Sequence, residues 1–113
     1  MPSSPLFDIR VIDVGDPILL CVRGELDLDT APELERMLAP LHPRHCELDF
    51  TDVPFIDSTG VNLLVRHQRE AAAAGGSLRL ISVSGPVRRV LDLSGASCVL
   101  LTTPEPPPEE TSG

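Results

Sequence analysis

The segment Phe55-Ile56-Asp57-Ser58-Thr59-Gly60-Val61 sets two hydroxyls beside a carboxylate, between an alternating apolar stretch and an amphipathic one. Two chemistries compete for such a serine: attack on a substrate, or acceptance of a phosphate. A nucleophile elbow requires G-x-S-x-G, whereas Ser58 stands in Ile56-Asp57-Ser58-Thr59-Gly60. His42, His45 and His67 are the available bases, and none shares a motif with the serine. Accepting a phosphate demands less. A hydroxyl at the start of a helix lies near unpaired amides and the positive end of the dipole. Asp57 or Ser58 is the expected cap of that helix, and capping alone would account for these residue types. The same amides would hold a phosphate on Ser58, which adds about -1.5 to -2 charges at neutral pH without melting the helix. Gly60 is expected to keep the first turn uncrowded for an approaching kinase.

The helix that follows carries a second clue. At ~100° per residue, Val61, Leu64, Val65, Gln68, Ala71 and Ala72 share one face. Leu63 falls on the other side with Asn62, Arg66 and Glu70, and is expected to be an exposed partner anchor one turn from Ser58. His42, His45 and Cys46 are metal-ligating types, but no second cluster completes a four-ligand site. Neither a metal nor another cofactor is expected.

Phe7, Ile9 and Val11 alternate with Asp8 and Arg10 as a half-buried strand. Gly15-Asp16-Pro17 turns the chain into Ile18–Val22, giving an antiparallel hairpin. Thr30 and Glu33 have capping-box spacing, and Ala31, Leu34, Met37, Leu38 and Leu41 form the apolar face of a first helix ending before Pro43. Cys46, Leu48 and Phe50 alternate with His45, Glu47 and Asp49 in a third strand whose polar face is acidic, so helices should cover one side only. The second helix runs from about Ser58 to Gly75-Gly76. Leu78–Val83 is a fourth strand, Ser84-Gly85-Pro86 opens a third helix that Gly95 closes, and Cys98–Leu101 is a last short strand. The expected fold is α/β, a mixed, mostly parallel sheet of four to five strands with helices on one face, in the order β-β-α-β-α-β-α-β. Residues 1–102 form the domain. The stretch 103–113, all Pro, Glu, Thr, Ser and Gly, is expected to be a disordered acidic tail.

Composition narrows the functions. At 113 residues one domain is expected, with an aliphatic core, since Trp and Tyr are absent and only Phe7, Phe50 and Phe55 are aromatic. A net charge of -8 argues against nucleic acid and against an anionic membrane surface. All 9 basic residues are Arg, which removes the Walker A loop and Schiff-base chemistry. The first residues lack the basic and apolar regions of a signal peptide. Cys21, Cys46 and Cys98 lie in apolar segments without CxxC spacing, so buried reduced thiols and a cytoplasmic location are expected.

With these features assembled, the chain resembles the STAS domains of the anti-sigma factor antagonist family. Val22-Arg23-Gly24-Glu25-Leu26-Asp27 through Thr30-Ala31 is similar to the family's first conserved block, and Phe55–Val61 to its phosphorylation motif. The similarity spans roughly residues 6–102. It implies a non-enzymatic protein whose unphosphorylated form binds an anti-sigma factor that is also a serine kinase, freeing the sigma factor. Phosphorylation at Ser58 would end that binding, and a serine phosphatase would restore it. The resemblance also implies that Asp27 lies near the serine. Asp27, Asp57, Thr59, Gly60, Asn62 and Leu63 are the expected partner-binding residues. The alternative it leaves is a STAS-type adaptor in a stress-signalling scaffold or a lipid-transport complex. Family members often end in a further helix, where this chain runs into its Pro/Glu stretch.

Overall fold

The computed structural model describes residues 7–101, so the expected tail at 103–113 lies outside the described residues. Strands β1 (Asp8–Ile12) and β2 (Ile18–Arg23) pair antiparallel. Strand β3 (His45–Asp52) joins β2 in parallel, and β4 (Ser77–Val83) joins β3 in parallel, giving a sheet in the order β1-β2-β3-β4. Helices α1 (Ala31–Leu38), α2 (Ser58–Ala73), α3 (Gly85–Ser94) and α4 (Ser97–Leu100) complete the fold, and a 3-10 turn over Ala39–Leu41 follows α1.

The period of two decides which side of the sheet is covered. Leu20, Leu48 and Leu80 sit side by side across β2, β3 and β4 and are buried. They point at the same core as Leu34, Leu64 and Leu91 of the helices. The opposite face carries Glu47 beside Arg79, and Asp49 beside Cys21, as the acidic alternation in β3 implied. Helices α2 and α3 begin or end as the sequence indicates. Asp57 caps α2, Ser84 caps α3 through Val87 N–H (3.4 Å), and Gly95 closes α3 in the left-handed conformation (φ 80).

Three expectations fail. Residues 98–101 are not a fifth strand. Ser97–Leu100 is one helical turn, leaving only Leu101 to bridge Leu80. Ala96 and Leu100 are both buried and four apart, and in so short an apolar run that spacing fits a helical turn as well as a strand. Cys98 therefore faces out and is exposed, while Cys21 is half-buried and only Cys46 is buried. The capping box at Thr30 also does not form, because Thr30 is bound into the Asp27 loop. Finally, the buried stripe of α2 is Gly60, Val61, Leu63, Leu64, His67 and Ala71. His67, a polar residue, is buried within that stripe, which is therefore displaced from the expected one. Leu63 is 3% exposed and packs in the core, so it is not a protruding anchor.

Candidate functional site

Two loops leave the C-terminal ends of β2 and β3 and are stitched together by their backbones. Gly24, at φ 102, gives its N–H to Asp52 O (3.1 Å). Leu26 N–H bonds Phe55 O (3.0 Å), and Asp57 N–H bonds Leu26 O (3.2 Å). Leu26 and Ile56 thus form a parallel bridge beyond the sheet, which sets the Asp27 loop against the start of α2.

Each loop then fixes itself. In the first, Asp27 Oδ1 accepts the amides of Asp29 (3.0 Å) and Thr30 (3.1 Å). Buried Thr30 accepts the Asp27 amide (3.0 Å) on its hydroxyl oxygen and donates to Glu25 O (2.7 Å), while its own N–H is held by Asp27 Oδ1, so Glu33 meets no free amide and the capping box does not form. In the second, Asp57 Oδ1 accepts Gly60 N–H (3.0 Å) from an extended backbone (φ -108, ψ -175), the usual geometry of an N-cap. Gly60 is buried. A Cβ there would lie 2.8 Å from Ile56 Cγ1 and 2.9 Å from Leu26 Cγ. The glycine therefore seats the first turn of α2 on the Leu26–Ile56 bridge, and does not clear space for an approaching kinase as its position in the motif suggested.

Ser58 is the first residue of α2 and is exposed. Among the described residues, its amide and that of Thr59 take no hydrogen-bond partner, and no base bonds its hydroxyl. Thr59 is half-buried and Asn62 exposed. Beyond Ser58 a shallow groove of about 270 Å³ runs between α1 and α2, lined by Leu28, Pro32, Glu35, Thr59, Asn62 and Arg66, with Leu63 at its floor. Arg66 and Glu35 bridge it at 2.9 Å. Leu28 is 70% exposed at its mouth. Sequence reasoning missed Leu28; its signal was a leucine between two aspartates, where no strand or helix period accounts for it. His45 and Cys46 diverge, as adjacent strand residues must: His45 bonds Ser77 Oγ (2.9 Å) on the outside while Cys46 is buried. Burial, the largest influence, pushes the Cys46 thiol pKa up, with Asp16 adding to it and Arg44 opposing it.

Comparison with known proteins matches residues 10–102 to the STAS_2 family, described as Mlab, STAS domain. An anti-sigma-B factor antagonist of Staphylococcus epidermidis is 35% identical over 93 residues, covering 78% of this chain and 84% of the relative. The chain belongs to the STAS-domain family of anti-sigma factor antagonists. An antagonist structure from Mycobacterium paratuberculosis aligns with a TM-score of 0.76 at 23% identity, over 91% of this chain and 92% of that one. SpoIIAA in its unphosphorylated form aligns at 0.68 and 24% identity, over 85% and 89% of the two chains. These alignments establish a shared fold. Within this STAS domain, the bridged loops place Asp27, Asp57, Ser58, Thr59 and Gly60 at one end of α2, with Asn62 along the groove.

Proposed function

We propose that this STAS domain is a partner-exchange switch, in which the unphosphorylated form binds an anti-sigma factor with serine kinase activity and phosphorylation at Ser58 ends the binding. The observation that carries this reading is the exposed Ser58 as first residue of a capped helix, beside two unpartnered amides and a groove with an exposed leucine at its mouth. The helix tolerates the phosphate because the charge meets free N–H groups and the positive end of the dipole. The partner does not. Stranding that charge in a contact costs about 3–5 kcal/mol, a hundred- to several-thousand-fold in affinity.

In this reading Asp57 holds the helix start, and Asp27 fixes the loop that faces it. Both also add negative charge near the phosphate. Leu28, Asn62 and Thr59 contact the partner, and Leu63 supports the groove from below. The protein performs no catalysis of its own; a serine phosphatase resets it, and the exchange takes place in the cytoplasm.

The test is a pull-down with an anti-sigma kinase in ADP and in ATP. Binding in ADP, with release and a mass gain of one phosphate at Ser58 in ATP, is the expected result. Stable binding in both nucleotides without a mass gain would replace the switch by an adaptor that uses the same end only for docking.

A further inference from the structure

A second cluster lies well away from Ser58. His67 is nine residues on, about 13 Å along the helix axis. His67 and Glu70 stand on adjoining turns of α2, so they share a face. His42, from the turn after α1, meets them. Its Nε2 lies 2.7 Å from His67 Nδ1 and 3.3 Å from Glu70 Oε1. The three potential ligand atoms fall within 4.8 Å of one another.

The backbone holds His42 in place. Arg44 O accepts Ser77 N–H (3.1 Å), and a Cβ on Gly76 would come within 2.3 Å of both His42 O and Arg44 O. Only a glycine lets the end of α2 approach the His42 turn this closely.

Proton accounting within the cluster leaves a remainder. Glu70 needs a hydrogen on His42 Nε2, and that hydrogen forks between the carboxylate and His67 Nδ1. His67 Nδ1 is then a bare lone pair, and its own hydrogen sits on Nε2, buried without a partner among the described residues. His67 is only 2% exposed. A leucine would close this face of α2 without leaving a buried nitrogen unsatisfied, so the histidine has a cost that packing does not explain.

The geometry points to a binding site for a divalent transition-metal ion of the zinc class, held by His42 Nε2, His67 Nδ1 and Glu70 and completed by water. Two imidazoles and one carboxylate suit such borderline ions. Three protein ligands with an open position match the exposure: His42 and Glu70 are 24% and 48% accessible at their side chains, so water reaches the fourth position. Coordination through His67 Nδ1 uses the tautomer that the cluster already selects. His42 moves its single hydrogen from Nε2 to Nδ1, and no proton is lost. Ligand atoms around a tetrahedral ion stand about 3.3 Å apart. The histidine pair, now 2.7 Å apart, therefore opens by about 0.6 Å, and the exposed Glu70 side chain swings in. A bound ion would tie the α1–β3 connection to the middle of α2.

The experiment titrates the full chain with cobalt(II), reading visible d–d absorption, then displaces cobalt with zinc. One cobalt per chain with a tetrahedral spectrum is expected. Glu70→Gln should weaken it at least about tenfold, the range that even changes around the ligands produce. His42→Ala should abolish it and His45→Ala should leave it intact. Folding of each variant is checked by circular dichroism, since His42 and Glu70 are partly exposed and their replacement leaves the core untouched. Zinc should also raise the melting temperature of the parent chain and not that of His42→Ala. Absence of a one-to-one site, or equal loss in His45→Ala, overturns the proposal.

Discussion

Replacing Gly60 by Ala tests how the start of α2 is seated. The added methyl would lie 2.8 Å from Ile56 Cγ1, 2.9 Å from Leu26 Cγ and 3.1 Å from Leu26 Cδ2. Leu26 and Ile56 are 0% and 1% exposed, so neither can rotate into solvent to make room. Overpacking of this kind costs about 1–3 kcal/mol. Alanine's better helix propensity returns up to about 1 kcal/mol. The net expectation is a loss of about 1–2 kcal/mol, which for a domain of this size lowers the melting temperature by roughly 4–16 °C. A double-mutant cycle isolates the cause. Leu26→Ala removes two of the three close atoms, so Gly60→Ala should cost at least about 1 kcal/mol less in that background. Urea unfolding of the four proteins measures the cycle. Equal costs of Gly60→Ala in both backgrounds, or a more stable Gly60→Ala, would refute the packing argument.

Other outcomes follow from the same geometry. Asp57→Ala strips the acceptor from Gly60 N–H and should cost about 0.5–2 kcal/mol in urea unfolding, with Asp57→Ser recovering most of it. Leu63→Asp should destabilise the fold by at least about 3 kcal/mol, because it buries a carboxylate and removes core volume. Leu28→Asp should stay within about 0.5 kcal/mol of the parent while weakening partner binding in a calorimetric titration. With a thiol reagent at mildly alkaline pH, Cys98 should react first. Cys46 should react last, because burial raises its pKa and leaves less thiolate at any given pH. Mass spectrometry of the labelled peptides gives the order, and a Cys46 as fast as Cys98 would contradict its burial.

The strands and the first three helices were legible because their apolar periods and punctuation agree. Gly15-Asp16-Pro17, Gly75-Gly76 and Gly95 mark the ends that the structure shows. Of the candidate site, the helix start at Asp57 and Ser58 was legible, since the cap and the first helical residue are set by local chemistry. What escaped depends on contacts that no single-element pattern contains. Thr30 is bound into the Asp27 loop, its oxygen accepting Asp27 N–H and its amide donating to Asp27 Oδ1, and no capping rule anticipates those contacts. Leu63 is covered because α1 lies over that side of α2, whereas a single-helix projection leaves it outside. His67 counts as buried only once His42, 25 residues earlier in the chain, is brought against it. Residues 98–101 needed the buried pair Ala96 and Leu100 to be read as a turn of helix.

The central claim is that a phosphate on Ser58 and partner binding exclude each other. The direct measurement compares homogeneous phospho-Ser58 protein with unmodified protein by isothermal titration against the same anti-sigma kinase, with Ser58→Ala alongside. The phosphorylated form should bind at least about a hundredfold more weakly, from an unpaired-charge cost of about 3–5 kcal/mol. Ser58→Ala should bind like the unmodified protein whatever nucleotide is present. Equal affinity of the fully phosphorylated and unmodified forms would contradict that exclusion.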